Sequence, residues 1–290
     1  MGQRAKEKVA VASEFMSKSP EYTKSHIARA LEFSRSSFYH KPTLDRKDET
    51  LAEKIREEHK TDDTLGHKSL APLIGAGKNR TRRVMLKYEI AARPRKRKYI
   101  YPGKTSTVFP NLANNEEISF NRLVVFSDIF QFRLADGCLV YGCFALLKST
   151  RQVLSLVFSY TMEADLVAAT ISRIDFLDLG EALWHTDQGK QFGSFEVILQ
   201  LIEKGFIASM SRAGTPTDNP FAERFVGTFK HAVVRRRKYQ TLGEFLDAAE
   251  IWTNFYNTRR PHQGIGLLSP NKKAAELGLP DVPFISSLTV

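Results

Sequence analysis

Between Arg122 and Ser159 the chain carries three apolar runs with turn signals between them, and this pattern narrows the fold more than any other. Arg122 to Phe132 is rich in Val, Ile, Leu and Phe and ends near Leu134-Ala135-Asp136-Gly137; Cys138 to Leu147 and Gln152 to Ser159 follow. Runs of this composition bounded by turn residues read as three strands joined by hairpins. The period then changes. From Glu163 to Leu179, apolar residues recur at Leu166, Val167, Thr170, Ile171, Ile174 and Leu177, close to helical spacing, and Ala182-Leu183-Trp184-His185 reads as a short strand.

Three acidic residues stand in this framework. Asp128 interrupts the first apolar run, where an unpaired carboxylate would be costly; an acid on an exposed strand face is the competing reading. Asp187 in Trp184-His185-Thr186-Asp187-Gln188-Gly189 falls just past a strand end, where sites in mixed sheets commonly lie, or is a turn residue beside Gly189. Asp218-Asn219-Pro220 is a helix start, with Asn219 as N-cap, Pro220 at the first helical position and the pattern running to about Arg236. Glu223 lies in its first turn, where an acid is favourable with the helix dipole whatever its function. Yet Lys230 shares its face seven positions on, Gly227 between them leaves room for a phosphate, and the loop Ser209-Met210-Ser211-Arg212-Ala213-Gly214 precedes them. Thirty-five residues separate Asp187 from Glu223. Carboxylate oxygens are natural ligands for Mg²⁺, and two such ions ~4 Å apart can activate an attacking oxygen and stabilise a leaving one. The three acids together read as one metal site for phosphoryl transfer on nucleic acid.

From about residue 122 to 275 the chain resembles the catalytic core of DDE transposases and retroviral integrases, and more narrowly the B-frame product of the third bacterial insertion-sequence family. The resemblance rests on His185-Thr186-Asp187-Gln188-Gly189 with Gln191-Phe192, on Ser209 to Gly214, and on Asp218-Asn219-Pro220-Phe221-Ala222-Glu223 with Phe229-Lys230. Phe255-Tyr256-Asn257 through Arg260-Pro261-His262 to Ser269-Pro270 completes it. It implies an α/β fold, an RNase H-like integrase core with a mixed five-stranded sheet and flanking helices. It also implies that Asp128, Asp187 and Glu223 are the catalytic triad, holding two Mg²⁺ (or Mn²⁺) ions, and that Lys230 contacts DNA. The activity implied is transposase: metal-dependent nicking at insertion-sequence ends, with water as first nucleophile and the freed 3′-OH as second. The partners implied are double-stranded DNA at transposon ends and target, further copies of the chain assembled on DNA, and an upstream A-frame product joined by frameshifting. Val125-Phe126-Ser127-Asp128-Ile129-Phe130 departs from the aromatic and Thr that frame the first Asp in relatives, and Leu146-Leu147-Lys148 lacks the acid that often ends their second strand. Asp136, in a turn signal, is the only nearby substitute for Asp128.

The chain's 43 Lys+Arg against 32 Asp+Glu are unevenly placed: residues 1–110 hold 25 basic and 13 acidic, and the remainder 18 and 19. Positive charge confined to the N-terminal third is the footprint of a DNA-binding region attached to a catalytic domain. There, Thr23 to Leu31 and Phe33 to Tyr39 read as two short helices, the second opening like a recognition helix with Arg35. A helix pattern from Asp48 to His59 follows, and Ser69 to Ile74, Gly75-Ala76-Gly77 and Asn79 to Leu86 repeat helix, turn, helix, with Arg80, Arg82 and Arg83 on the last helix. Arg95, Lys96, Arg97 and Lys98 lie in a basic segment whose phosphate contacts would be steeply salt-dependent. The organisation expected is a helical DNA-binding region (1–92), a basic Pro-containing linker (93–118), the catalytic core (119–275) and a C-terminal tail (276–290).

Other classes fall away. Cys138 and Cys143 have no zinc or redox spacing, which points to a reducing cytoplasm, and the resemblance implies association with the nucleoid there; no 18-residue apolar stretch and no Gly-rich phosphate loop occur. The competing classes are a catalytically weak or inactive transposase-derived DNA-binding regulator, and an RNase H-type nuclease without strand transfer.

Overall fold

The computed structural model describes residues 3–18, 22–39, 43–93, 108–174, 179, 181–213, 215–282 and 288–289. The chain forms two compact units, one ending at Leu51 and one beginning at Ala52. The first holds helices α1 (Gln3–Lys18) and α2 (Lys24–Ala30) and the start of α3 (Thr43–Thr61). Thr23 caps α2, its hydroxyl accepting from the His26 amide at 3.3 Å. The expected second helix is instead a five-residue 3-10 turn, Arg35–Tyr39. Ser34 and Ser36 hydrogen-bond each other at 2.7 Å, and such short polar side chains compete with helix continuation.

The second unit continues with α4 (His67–Leu73) and α5 (Lys78–Lys87), whose junction turns at Gly75 with φ of 63°. The Ala76 amide reaches back to the Ala71 carbonyl at 2.9 Å, a left-handed helix ending that glycine adopts without strain. α5 buries Thr81, Val84 and Met85, so Arg80, Arg82 and Arg83 face outward.

After α6 (Glu116–Asn121) come β1 (Val124–Arg133), β2 (Leu139–Leu147), β3 (Val153–Ser159), α7 (Ala164–Ser172), β4 (Leu183–Thr186), α8 (Phe195–Glu203) and β5 (Ile207–Met210). α9 (Pro220–Phe229), α10 (Leu242–Thr258), α11 (Pro270–Glu276) and the two-residue β6 (Leu288–Thr289) close the chain. The sheet order is β5-β4-β1-β2-β3-β6. β1, β2 and β3 pair antiparallel, while β1, β4 and β5 pair parallel. This mixed five-stranded sheet with helices on its faces, extended by the short β6, is RNase H-like. The three hairpin strands lie where the apolar runs predict them, except that Cys138 precedes β2. Ser209 and Met210, expected in a loop, complete the edge strand β5. The helix expected over Glu163 to Leu179 is α7, and 175–178 lie outside the described residues.

One face of the sheet is an aromatic core. Phe126, Phe130 and Phe132 alternate along β1 and meet Phe221, Phe229 and Phe245 at ring distances of 5.0, 5.4 and 4.2 Å. Gly142, opposite Phe130 on β2, makes the space: a Cβ there would lie 2.6 Å from Phe130 Cζ and 2.8 Å from Phe158 Cε1.

Candidate active site

The parallel pairing of β1 with β4 sets Phe126 opposite His185. Asp128 and Asp187 each lie two residues beyond these partners. Asp187 follows directly on the end of β4, and the two carboxylates come close enough for the charge of Asp187 to raise Asp128. The strand carries Asp128 on the face covered by α9. Asp136 lies elsewhere, in the β1–β2 turn, its carboxylate accepting the Cys138 amide at 2.8 Å.

Each carboxylate has a local backbone donor: the Ile129 amide for Asp128 at 2.8 Å and the Gly189 amide for Asp187 at 2.9 Å. Those bonds do not offset the surroundings. Burial, followed by the charge of Asp187, pushes Asp128 up to about 8, with a smaller push from Glu223 and opposing pulls from the Ile129 amide and Lys230. Burial likewise raises Asp187 and Glu223. Two adjacent carboxylates with raised proton affinity form a hard-oxygen pair whose repulsion a divalent cation would relieve, so their chemistry fits Mg²⁺ or Mn²⁺.

Glu223 sits in the first turn of α9, off the aromatic stripe of Phe221, Phe225 and Phe229, and is exposed. Among the described residues, no three His, Cys, Asp or Glu side chains are gathered closely enough to hold a metal ion. Asp128 and Asp187 are brought together, with Glu223 at their margin. Pro220 and Asn219 begin the helix as the sequence predicts, although Asn219 makes no side-chain cap. Past Phe229 the helix widens into a π turn, Lys230–Val234, and Lys230 starts it. The Lys230 ammonium lies 5.5 Å from the Phe130 ring centre, and its charge favours ionised Asp128. Gly227, between Glu223 and Lys230, faces open space.

The remaining motif residues support this arrangement from beneath. Ser209 Oγ accepts from the Leu112 and Ala113 amides at 2.9 and 3.3 Å, which occupies both its lone pairs. Its proton therefore goes to His185 Nδ1 at 2.9 Å, and His185 Nε2 donates to Ser211 Oγ at 3.0 Å. His185 is thus a neutral strut joining β4 to β5. Asp218 accepts a forked pair from Arg212 at 2.9 and 3.0 Å, which holds its carboxyl far below the usual range, and a further bond from Asn114 at 2.8 Å. Asp218 anchors the start of α9, a role that its place two residues before Pro220 could have signalled. Residues 110–114, within the expected linker, are consequently fastened to β5 and to Asp218.

Of the predicted DNA-contacting residues, Arg35, Arg80, Arg82 and Arg83 are exposed and Lys230 is half-buried. Arg95, Lys96, Arg97 and Lys98 lie outside the described residues. No described helix is long and apolar enough to cross a membrane.

Residues 204–270 match the integrase core domain family. The chain is 26% identical over 255 residues to an uncharacterised 31.7 kDa protein of insertion element IS407 from Burkholderia multivorans, covering 86% of this chain and 89% of that one. It is 36% identical over 87 residues to the transposase of insertion sequence IS904 from Lactococcus lactis, covering 30% of this chain and 34% of the relative. Among solved structures, the catalytic core domain of BIV integrase aligns at a TM-score of 0.41 and 16% identity, over 53% of this chain and 95% of that one.

Proposed function

We infer that this chain, a member of the DDE transposase and integrase superfamily and so a polynucleotidyl transferase, is a transposase that nicks DNA at insertion-sequence ends and joins the freed 3′-OH to a target phosphodiester. The observation that carries this reading is the approach of Asp128 and Asp187 just past the paired ends of β1 and β4, close enough for the Asp187 charge to act on Asp128, beside the helix that presents Glu223 and leads into Lys230. In this proposal Asp128 and Asp187 would hold divalent metal, and Glu223, whose side chain is exposed beside them, would complete the ligand set. Bound metal would supply Lewis-acid activation of the attacking oxygen and charge neutralisation at the leaving one. Lys230 positions the neighbouring phosphate as a point charge. The exposed Arg80, Arg82 and Arg83 of α5, with Arg35, Arg95, Lys96, Arg97 and Lys98, would track the DNA backbone. The finer assignments belong to the same proposal: a B-frame product of the third insertion-sequence family, acting in the cytoplasm as an oligomer on double-stranded DNA.

A second reading, a regulator with little or no catalysis, is supported by the altered surroundings of Asp128, where Ser127 and Phe130 stand in place of the residues that frame the first Asp in relatives. The test is nicking of duplexes carrying the element's own ends, with Mg²⁺ or Mn²⁺. Metal-dependent nicks in the wild type that vanish in Glu223→Gln are expected for the transposase. End binding with no nicking by the wild type would establish the regulator instead.

A further inference from the structure

The π turn that follows α9 exposes carbonyls that a continuing α-helix would satisfy, and the structure pairs them with specific donors. The Arg235 amide takes the Lys230 carbonyl at 2.8 Å, and Tyr239 Oη donates to the Val233 carbonyl at 3.0 Å. Two further carbonyls, of His231 in the turn and of Arg235 just past it, go to one side chain. Arg93 donates from Nη1 to the Arg235 carbonyl at 2.8 Å and from Nη2 to the His231 carbonyl. In return, buried His231 donates from Nε2 to the Arg93 carbonyl at 2.7 Å. The far edge of the guanidinium is fixed by Asp63, with Nε and Nη2 at 3.1 and 2.9 Å from Oδ1.

Asp63 is itself held. It follows the end of α3, whose last-turn carbonyls are capped by Arg236: Nη1 donates to Thr61 at 2.7 Å and Nη2 to His59 at 3.2 Å. Arg260 grips the buried neighbour Asp62 at 3.1 Å, and Arg259 pairs with Glu58 at 2.7 Å. Arg93 and Arg236 therefore tie this corner of the helical region to the end of the helix bearing Glu223, while Arg259 and Arg260 tie it to the end of α10. Of these four arginines, Arg93 alone binds the π turn with its guanidinium while standing outside the α9–π segment in sequence. A planar fork with five donors can meet two carbonyls and a carboxylate at once; an ammonium cannot.

We propose that Arg93 is a positioning residue for the catalytic helix: by holding the carbonyls of His231 and Arg235 it fixes the π turn that begins at Lys230, and with it the placement of Lys230 beside Asp128. This rests on the transposase reading of the site. A helix end displaced by an ångström would leave the carboxylates intact but misplace the charge that orients DNA, and misplacement on that scale costs about 100-fold in rate.

The test uses the full chain, end DNA and divalent metal, with three variants. Arg93→Ala and Arg93→Lys are expected to lower single-turnover nicking at saturating DNA by about tenfold or more, and Lys by less than Ala, with the Kd for end DNA changed less than the rate. Arg259→Ala, whose ion pair with Glu58 does not touch the π turn, is the control and is expected to nick at the wild-type rate. Amide hydrogen exchange supplies a readout independent of activity: protection at residues 232–236 should fall in both Arg93 variants while that of β1 stays. Wild-type nicking with intact protection in Arg93→Lys overturns the proposal, as does a loss of rate in Arg259→Ala equal to that in Arg93→Lys. If the wild type itself fails to nick, the transposase reading fails. In that case unchanged exchange at 232–236 would refute the positioning role separately, and lost protection would uphold the structural half of it.

Discussion

Asn257, near the end of α10, pairs with both backbone groups of Val153 at the start of β3: its Oδ1 accepts the amide and its Nδ2 donates to the carbonyl, each at 2.9 Å. A side-chain amide here imitates a neighbouring strand and closes the edge of the sheet. Gln152 continues the seam, its Nε2 reaching Asn271 at 3.2 Å and the Pro280 carbonyl at 3.1 Å. The motif running from Phe255 to Pro270 is thereby scaffolding, which docks α10 and α11 on the core.

Asn257→Asp should be more damaging than its size suggests. It replaces the donor with an oxygen facing the Val153 carbonyl inside a buried site, leaving one acceptor unpaired and a charge uncompensated. A loss of about 2–3 kcal/mol in unfolding free energy is expected, against about 1–2 for Asn257→Ser. Urea denaturation of the two variants checks this, and equal stability of Asn257→Asp and wild type would remove the argument.

The strands and the start of α9 were legible because their signals are local: apolar runs, a turn sequence, and Asn219-Pro220 at a helix start. The nearness of Asp128 to Asp187 was not, because it depends on the register of two strands more than fifty residues apart in sequence, which no local pattern encodes. The resemblance supplied it. The arginine contacts at the end of α3 were hidden for the same reason. Arg236 sits among the successive cations Arg235-Arg236-Arg237-Lys238, none of them marked by a local pattern, yet it caps carbonyls some 175 positions away in sequence. The Phe33–Tyr39 segment misled in the opposite sense, its helical spacing being outweighed by serines that bond to one another.

His185 gives stability a pH dependence. Burial lowers it from the ordinary 6.5 to about 4, with Asp218 pulling the other way. A depressed histidine is neutral in the native state while the unfolded chain takes a proton, so its contribution is fully present above 6.5 and drains away as the pH falls from 6.5 towards 4. The loss across that window is of order 3 kcal/mol. Thermal melts between pH 7 and 4 should show this slope in the wild type and a flatter one in His185→Gln, which has no proton to take. Parallel curves would show that His185 is not the group responsible.

Asp128 and Asp187 destabilise the fold they serve. Each is half-buried, and the charge of Asp187 raises Asp128, so removing it relieves its neighbour. Asp187→Asn is therefore expected to raise the Tm of the metal-free protein by a few degrees and to abolish nicking, since the amide keeps the volume but not the ligating charge. The gain should shrink when Mg²⁺ is added, because the wild type alone recovers stability by binding it. A variant less stable than wild type without metal would contradict the like-charge account.

On the proposed reading, Lys230 is the residue that would separate a DNA-joining site from a general metal nuclease. Its ammonium stands half-buried over Phe130 and near Asp128, where it favours the ionised carboxylate. Lys230→Ala removes that cation, so Asp128 should hold its proton to higher pH and the acid limb of the nicking profile should move towards alkaline pH. At saturating DNA and optimal pH the variant should retain more nicking than Asp187→Asn or Glu223→Gln, because a point charge on phosphate positions rather than breaks the bond. End binding and strand transfer should weaken in the same variant. Filter binding, a joining assay and the pH profile read the three effects separately, and wild-type behaviour in all three would reduce Lys230 to a packed helix residue.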